Sequence, residues 1–147
     1  GDPVVAALGL RDALEAAGLD LAIWGQSAPE AGQQATPGWN AKQLAARALA
    51  GITGVNWAVA ETGTLLLSSG PGRGRLVSLL PPVHIALIRP DQLLPSLAEA
   101  VRRVGEAGEL PSSLVLITGP SRSADIENDL SIGVHGPGSL HAVLLPE

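Results

Sequence analysis

Residues 114–130, LVLITGPSRSADIENDL, hold the densest chemistry in this chain. An apolar run ends at Thr118-Gly119-Pro120, and six of the next nine residues, 121 to 129, ionise or carry a hydroxyl. In open parallel sheets, ligands sit beyond the carboxyl ends of the strands. Gly119 and Pro120 turn the chain at such an end, and Ser121, Arg122 and Ser123 add donors. A helix opening there presents free backbone amides, which makes an anion site. Asp125 and Glu127 oppose a phosphate while favouring the helix dipole. A plainer reading has Ser123 as a cap, the two carboxylates answering the dipole, and Arg122 paired with one of them.

Three further clusters carry candidate chemistry. In AETGT, Glu61 ends an apolar WAVA run and precedes Thr62-Gly63-Thr64. A carboxylate beside a glycine that admits a ligand suits a base or a nucleophile, while spacing alone favours a glutamate at a solvent-exposed turn. In GVHGPGSLH, His135 lies between glycine turns, with Gly136 and Pro137 fixing the backbone, and a loop imidazole there suits proton transfer or ligand binding. His141 enters a strand and reads as a packing or edge residue. His84 opens VHIALI and reads as a histidine at the margin of the core. GPGRGR lacks the Lys-Ser/Thr ending of a phosphate loop and does not match GxGxxG. Within it Arg73 reads as exposed, and Arg75 is the better ligand contact. No GxSxG, HExxH or kinase signature is present, and Ser, His and Asp form no recognisable triad.

The elements that must hold these residues follow from the hydrophobic pattern. Residues 2–18 predict a helix capped by Asp2, with Pro3 at its first position and Gly18 at its exit. LDLAIWG at 19–25 predicts a short strand, 26–39 a mobile loop, and 40–50 a helix capped by Asn40. NWAVAE and TLLLSS, within 51–70, flank a tight TG and predict a strand pair or a bent strand. PGRGRLVSLLPP predicts a Gly/Pro loop. VHIALIR at 83–89 is apolar throughout, as a strand covered on both faces should be. Residues 91–108 predict a helix with a Leu94, Leu97, Val101, Val104 stripe, in which Pro95 falls in the first turn or the helix starts there. A buried strand at 113–119, a short helix at 123–130 and a last strand at 140–146 complete the series. Strands alternating with helices predict one α/β domain over 1–147, with a mostly parallel sheet and right-handed crossovers.

Composition narrows the function. The chain has 147 residues, 46% hydrophobic and 16% charged, enough for one sizeable core. Its aromatic residues are three Trp, so the core is built from Leu, Val, Ile and Ala. A net charge of −5 argues against nucleic acid, which needs clustered cations. No apolar run is long enough to cross a bilayer, and no leader pattern opens the chain, which predicts a cytoplasmic protein. Met is absent, which predicts a trimmed amino terminus. Cysteine is absent too, so this chain alone offers no thiolate for zinc or an iron–sulfur cluster.

The run GITGVNWAVAETGTLLL, then R..SLLPPVHIALI, then ITGPSRSADIENDLSIGVHGPGSLHAVLL resembles the LutC/YkgG lactate-utilisation family, the LUD-domain proteins, over about residues 51–145. The resemblance implies a fold like ribose-5-phosphate isomerase, glucosamine-6-phosphate deaminase and the CoA transferases. It implies membership of a multi-protein system oxidising L-lactate to pyruvate, with iron–sulfur clusters carried by LutA- and LutB-like partners and no cofactor bound here. Carried over by motif, it points to Glu61, Thr62, Gly63 and Thr64; Arg75 and Ser78; His84; Thr118, Gly119, Pro120, Ser121, Arg122, Asp125 and Glu127; and His135 and Gly136. Glu61 and His135 are the catalytic candidates, and the others would bind a small organic anion. AETG is also similar to the segment in which a CoA-transferase glutamate attacks a thioester. Two other functions stay open: a free-standing transferase or isomerase acting on phosphorylated or CoA-linked metabolites, and a non-catalytic assembly or regulatory module.

Overall fold

The computed structural model describes residues 3–24, 39–108, 111–120, 122–124, 130–132 and 136–146. Two sheets carry the architecture. One is wholly parallel, in the order β1 (Ala50–Gly54), β4 (Val83–Ile88), β9 (Ser139–Leu144). The other has the order β5 (Leu93–Leu94), β2 (Trp57–Val59), β3 (Leu65–Ser68), β6 (Leu114–Ile117). β2 runs parallel to β5, while β3 is antiparallel to both β2 and β6. The β1–β4 pairing therefore continues as β2–β5 pairing after each chain bends across a short connection. A third pair, β7 (Arg122–Ala124) and β8 (Leu130–Ile132), is an antiparallel ladder. Helices α1 (Pro3–Ala7) and α4 (Arg75–Leu79) pack on β1, and α5 (Leu97–Glu106) packs on β2 and β5. The molecule is α/β, with a parallel sheet flanked by helices.

Strand periodicity explains the core. In LLLS, Leu65 and Leu67 face one side, against Val55, Ala58, Ala86, Ile88 and Ile117. Leu66 faces the other, against Val59, Leu94 and Ala100 beneath α5. The run is apolar without alternation because both faces are covered. α5 begins at Ser96, whose Oγ accepts the backbone N–H of Glu99 at 3.3 Å.

Several expected elements change under tertiary constraint. The first helix breaks into α1 and α2 (Leu10–Ala16) at Gly9, where φ is +61°. Gly18 closes it in the left-handed region, as expected. Residues 19–23 form no strand; the Trp24 ring that follows lies across Gly74, where an added Cβ would fall 1.9 Å from an indole carbon. α3 (Trp39–Arg47) starts one residue before the expected cap, and β1 begins at Ala50, the last residue assigned to that helix. Residues 26–38 of the expected loop lie outside the described residues. The Gly/Pro stretch is not all loop: α4 forms because Gly51 lets β1 approach it, leaving no room for a Cβ beside the Val77 carbonyl. Residues 91–94 are not α-helical. Gln92 donates to the Val55 carbonyl at 2.6 Å and accepts from the Arg89 amide at 2.9 Å, which holds a 3₁₀ turn, and Leu94 enters β5. Residues 122–124 pair as a strand, where a helix capped by Ser123 was expected. β6 ends the sheet order, and Leu116 remains 48% exposed, so this strand is less buried than its sequence suggests.

Candidate functional site

β2, β5 and β6 all run the same way, so their carboxyl ends share one end of the second sheet. Two of the expected clusters meet there. The β2–β3 turn is Ala60-Glu61-Thr62-Gly63, closed by Gly63 N–H donating to the Val59 carbonyl and Val59 N–H to the Thr64 carbonyl, both at 2.8 Å. Gly63 sits at φ +68°, where a side chain would be strained. Glu61 is exposed, and its amide bonds the Pro95 carbonyl at 3.3 Å, which ties the turn to the entry of α5.

Three hydroxyls join the two clusters. Thr62 Oγ1 lies 2.7 Å from Thr64 Oγ1, and Thr64 Oγ1 lies 3.0 Å from Thr118 Oγ1, across fifty-four residues of sequence. Thr62 Oγ1 also accepts the Thr64 amide at 3.3 Å. Thr64 is buried, whereas Thr62 is exposed. Each hydroxyl has one hydrogen to give. Two bonds use two of the three hydrogens, whichever way they run. One O–H stays available for an acceptor from outside this chain of hydroxyls. Gly119 and Pro120 follow directly, with Gly119 at φ +147° and nothing within 4 Å of an added Cβ.

The remaining candidates fall elsewhere. The Arg122 backbone lies in β7, two residues beyond Pro120. Ser121, Asp125, Glu127 and His135 lie outside the described residues. Arg75 and Ser78 lie beyond the opposite end of β3 from Thr64. There Ser78 is buried and donates to the Arg75 carbonyl at 3.0 Å, while Arg75 is exposed. Both line a cavity of about 1030 Å³ that Trp24, Arg47 and Ile52 also line. Gly136 precedes β9 and His84 opens β4, so both belong to the amino-terminal end of the parallel sheet. The carboxyl-end cluster thus contains Glu61, Thr62, Gly63, Thr64 and Thr118–Pro120, and excludes Arg75, Ser78, His84 and Gly136.

His84 is fully enclosed, with 0% of its surface exposed. Its Nε2 lies 2.9 Å from Thr53 Oγ1, and its Nδ1 has no partner among the described residues. The sequence places it at the margin of the core; it lies fully inside, and its partner is a threonine hydroxyl on β1. An orphan lone pair costs less than an orphan N–H, so the arrangement that fits has Nε2–H donating to Thr53 and Nδ1 bare. Burial pushes its pKa down to about 4. Sequence reasoning missed Thr53 altogether: one threonine in GITG carries no signal until β1 and β4 are paired.

At the start of α5, Glu99 answers the helix dipole. Hydrogen bonds from Arg102 and Arg103 pull its carboxyl down to about 2. Among the described residues no group of three or more His, Asp or Glu is placed to hold a metal ion. No helix among them is long and apolar enough to cross a membrane.

This topology agrees with what comparison with known proteins finds. The family model described as LUD domain matches residues 5–145. The chain belongs to the LUD-domain family. Curated LUD-domain relatives include Lactate utilization protein C of Halalkalibacterium halodurans, 45% identical over 69% of this chain and 46% of that protein. The protein of the same name from a Geobacillus species is 41% identical over 81% of this chain and 47% of its own length. The chain therefore spans about half the length of these relatives. Among solved structures, a DUF162 family protein from Deinococcus radiodurans superposes with a TM-score of 0.57 at 25% identity, covering 99% of this chain and 85% of that one.

Proposed function

We propose that this LUD-domain chain is a component of a cytoplasmic lactate-utilisation system. It binds a small organic anion of the lactate and pyruvate class at the threonine-lined end of the second sheet. The observation that carries the reading is the Thr64–Thr118 hydrogen bond at 3.0 Å, which joins the two motif runs behind the family resemblance. The spare hydroxyl hydrogen suits a carboxylate, which only accepts. Glu61, exposed on the adjoining turn, is the candidate proton acceptor from the 2-hydroxyl group. The names of the relatives support the metabolic role, and the oxidation itself falls to iron–sulfur subunits acting with this one. With no cysteine, this chain supplies binding and orientation and leaves electron transfer to those partners.

The test is complementation. A deletion strain of the source organism is given wild type, Thr118→Val or Glu61→Gln, and growth on L-lactate is compared with growth on glucose. Failure on L-lactate alone, restored by wild type and impaired by either variant, supports the reading. Normal growth of the deletion strain on L-lactate overturns the metabolic role. Full rescue by both variants overturns the site.

A further inference from the structure

Among the described residues the parallel sheet has an uncovered edge. β9 pairs with β4 alone among the described residues, and four consecutive residues, His141 to Leu144, are exposed. Val143 is 40% and Leu144 57% exposed. Natural edge strands are protected by charges, proline, bulges or a covering element. Ser139–Leu144, with the sequence SLHAVL, holds no Asp, Glu, Lys, Arg or Pro. It pairs residue for residue with β4 over its whole length, without a bulge.

The free hydrogen-bonding groups can be assigned. Ser139 N–H donates to the Pro82 carbonyl and Leu145 N–H to the Ile88 carbonyl. A parallel ladder alternates, so Ser139, His141 and Val143 turn their backbone groups toward β4. Leu140, Ala142 and Leu144 turn theirs to the open edge. We infer that this edge is a dimer interface, at which β9 of a second copy of this chain pairs antiparallel with it about a twofold axis at Ala142.

The pattern is self-complementary about that residue. A twofold axis normal to the sheet keeps each face continuous, so partners must share a face. Centred on Ala142, Leu140 lies opposite Leu144 of the second copy on one face, and His141 opposite Val143 on the other. The outward-facing groups of Leu140, Ala142 and Leu144 then form the hydrogen-bonded pairs. The smallest side chain of the strand falls on the axis. With no formal charge in the strand, two copies meet without repulsion. The sheet becomes six-stranded, from β1 through β9 and the second β9 to the second β1.

Because these 147 residues contain no cysteine, single cysteines report the register directly. In a hydrogen-bonded antiparallel pair, facing Cα atoms lie about 5.5 Å apart, within disulfide reach. The full chain carrying Ala142→Cys is oxidised mildly beside Leu140→Cys, Leu144→Cys and a mixture of the last two. The expected result is a covalent dimer from Ala142→Cys and from the mixture, and little from Leu140→Cys or Leu144→Cys alone. Sedimentation should give a dimer for wild type and a monomer for Leu144→Lys with unchanged circular dichroism. A wild-type monomer at 100 µM, equal cross-linking at every position, or a dimer indifferent to both Leu144→Lys and Ala142→Lys would each overturn the inference. If Leu144→Lys fails to fold, the cross-linking pattern of the folded cysteine variants decides alone.

Discussion

The buried His84–Thr53 pair predicts an acid sensitivity with a definite size. In the folded chain the imidazole has pKa about 4, against an ordinary value of 6.5. Protonation would place a second N–H at Nδ1, which has no acceptor among the described residues. The unfolded chain meets no such obstacle and takes up the proton first. The contribution is therefore fully present above pH 6.5 and is lost progressively as pH falls toward 4. At about 1.4 kcal/mol per pH unit, the loss reaches about 2 kcal/mol at pH 5 and about 3 kcal/mol at pH 4. Carboxylates titrate over the same range, so wild type must be compared with a variant that lacks only the imidazole. His84→Leu combined with Thr53→Val removes both polar partners together and avoids leaving the threonine hydroxyl unpaired. Urea unfolding of both proteins at pH 7, 6, 5 and 4 yields the difference. The wild type should lose about 3 kcal/mol more than the double variant between pH 7 and 4. Parallel profiles would refute the reasoning, and so would a His84 ring proton that titrates near 6.5 by NMR in the folded protein.

Two further expectations concern the elements around the candidate site. Thr64→Val and Thr118→Val should each cost about 0.5–1.5 kcal/mol, the net worth of a hydrogen bond whose partners stay satisfied by Thr62 or by water, while the double variant costs less than their sum, as a thermodynamic cycle from urea unfolding will read; strict additivity would deny the 3.0 Å bond. Gly51→Ala should lower the melting temperature more than Gly63→Ala. At Gly51 an added Cβ lies 1.9 Å from the Val77 carbonyl oxygen and must push α4 off β1, whereas at Gly63 nothing lies within 4 Å and only the φ of +68° is strained, at a cost of about 1–2 kcal/mol. Equal effects at the two positions would contradict the close approach of α4 to β1.

The sequence alone determined those elements whose signal is local and agrees with their surroundings. VHIALI and TLLLSS are apolar without alternation, and both are strands covered on two faces. Gly18, Gly63 and Gly119 mark left-handed turns by their residue type. Tertiary structure decided wherever a distant partner competed with local preference. The run RLVSL became a helix because Gly51, twenty-four residues earlier, made room for it. DQLL left the helix because the Gln92 side chain found Val55 and Leu94 found the edge of β2. Residues Arg122–Ala124 paired as a strand because Leu130–Ile132 offered a ladder, and a capping serine cannot outweigh a row of backbone hydrogen bonds. The candidate site divides in the same way. Glu61 and Thr118 stood out by type and position, but only the antiparallel pairing of β3 with β6 brings Thr64 to Thr118. Thr53 was invisible until parallel pairing set it beside His84. Contacts between residues far apart in sequence depend on strand order and register, and these are fixed by burial of the whole core rather than by any short stretch of chain.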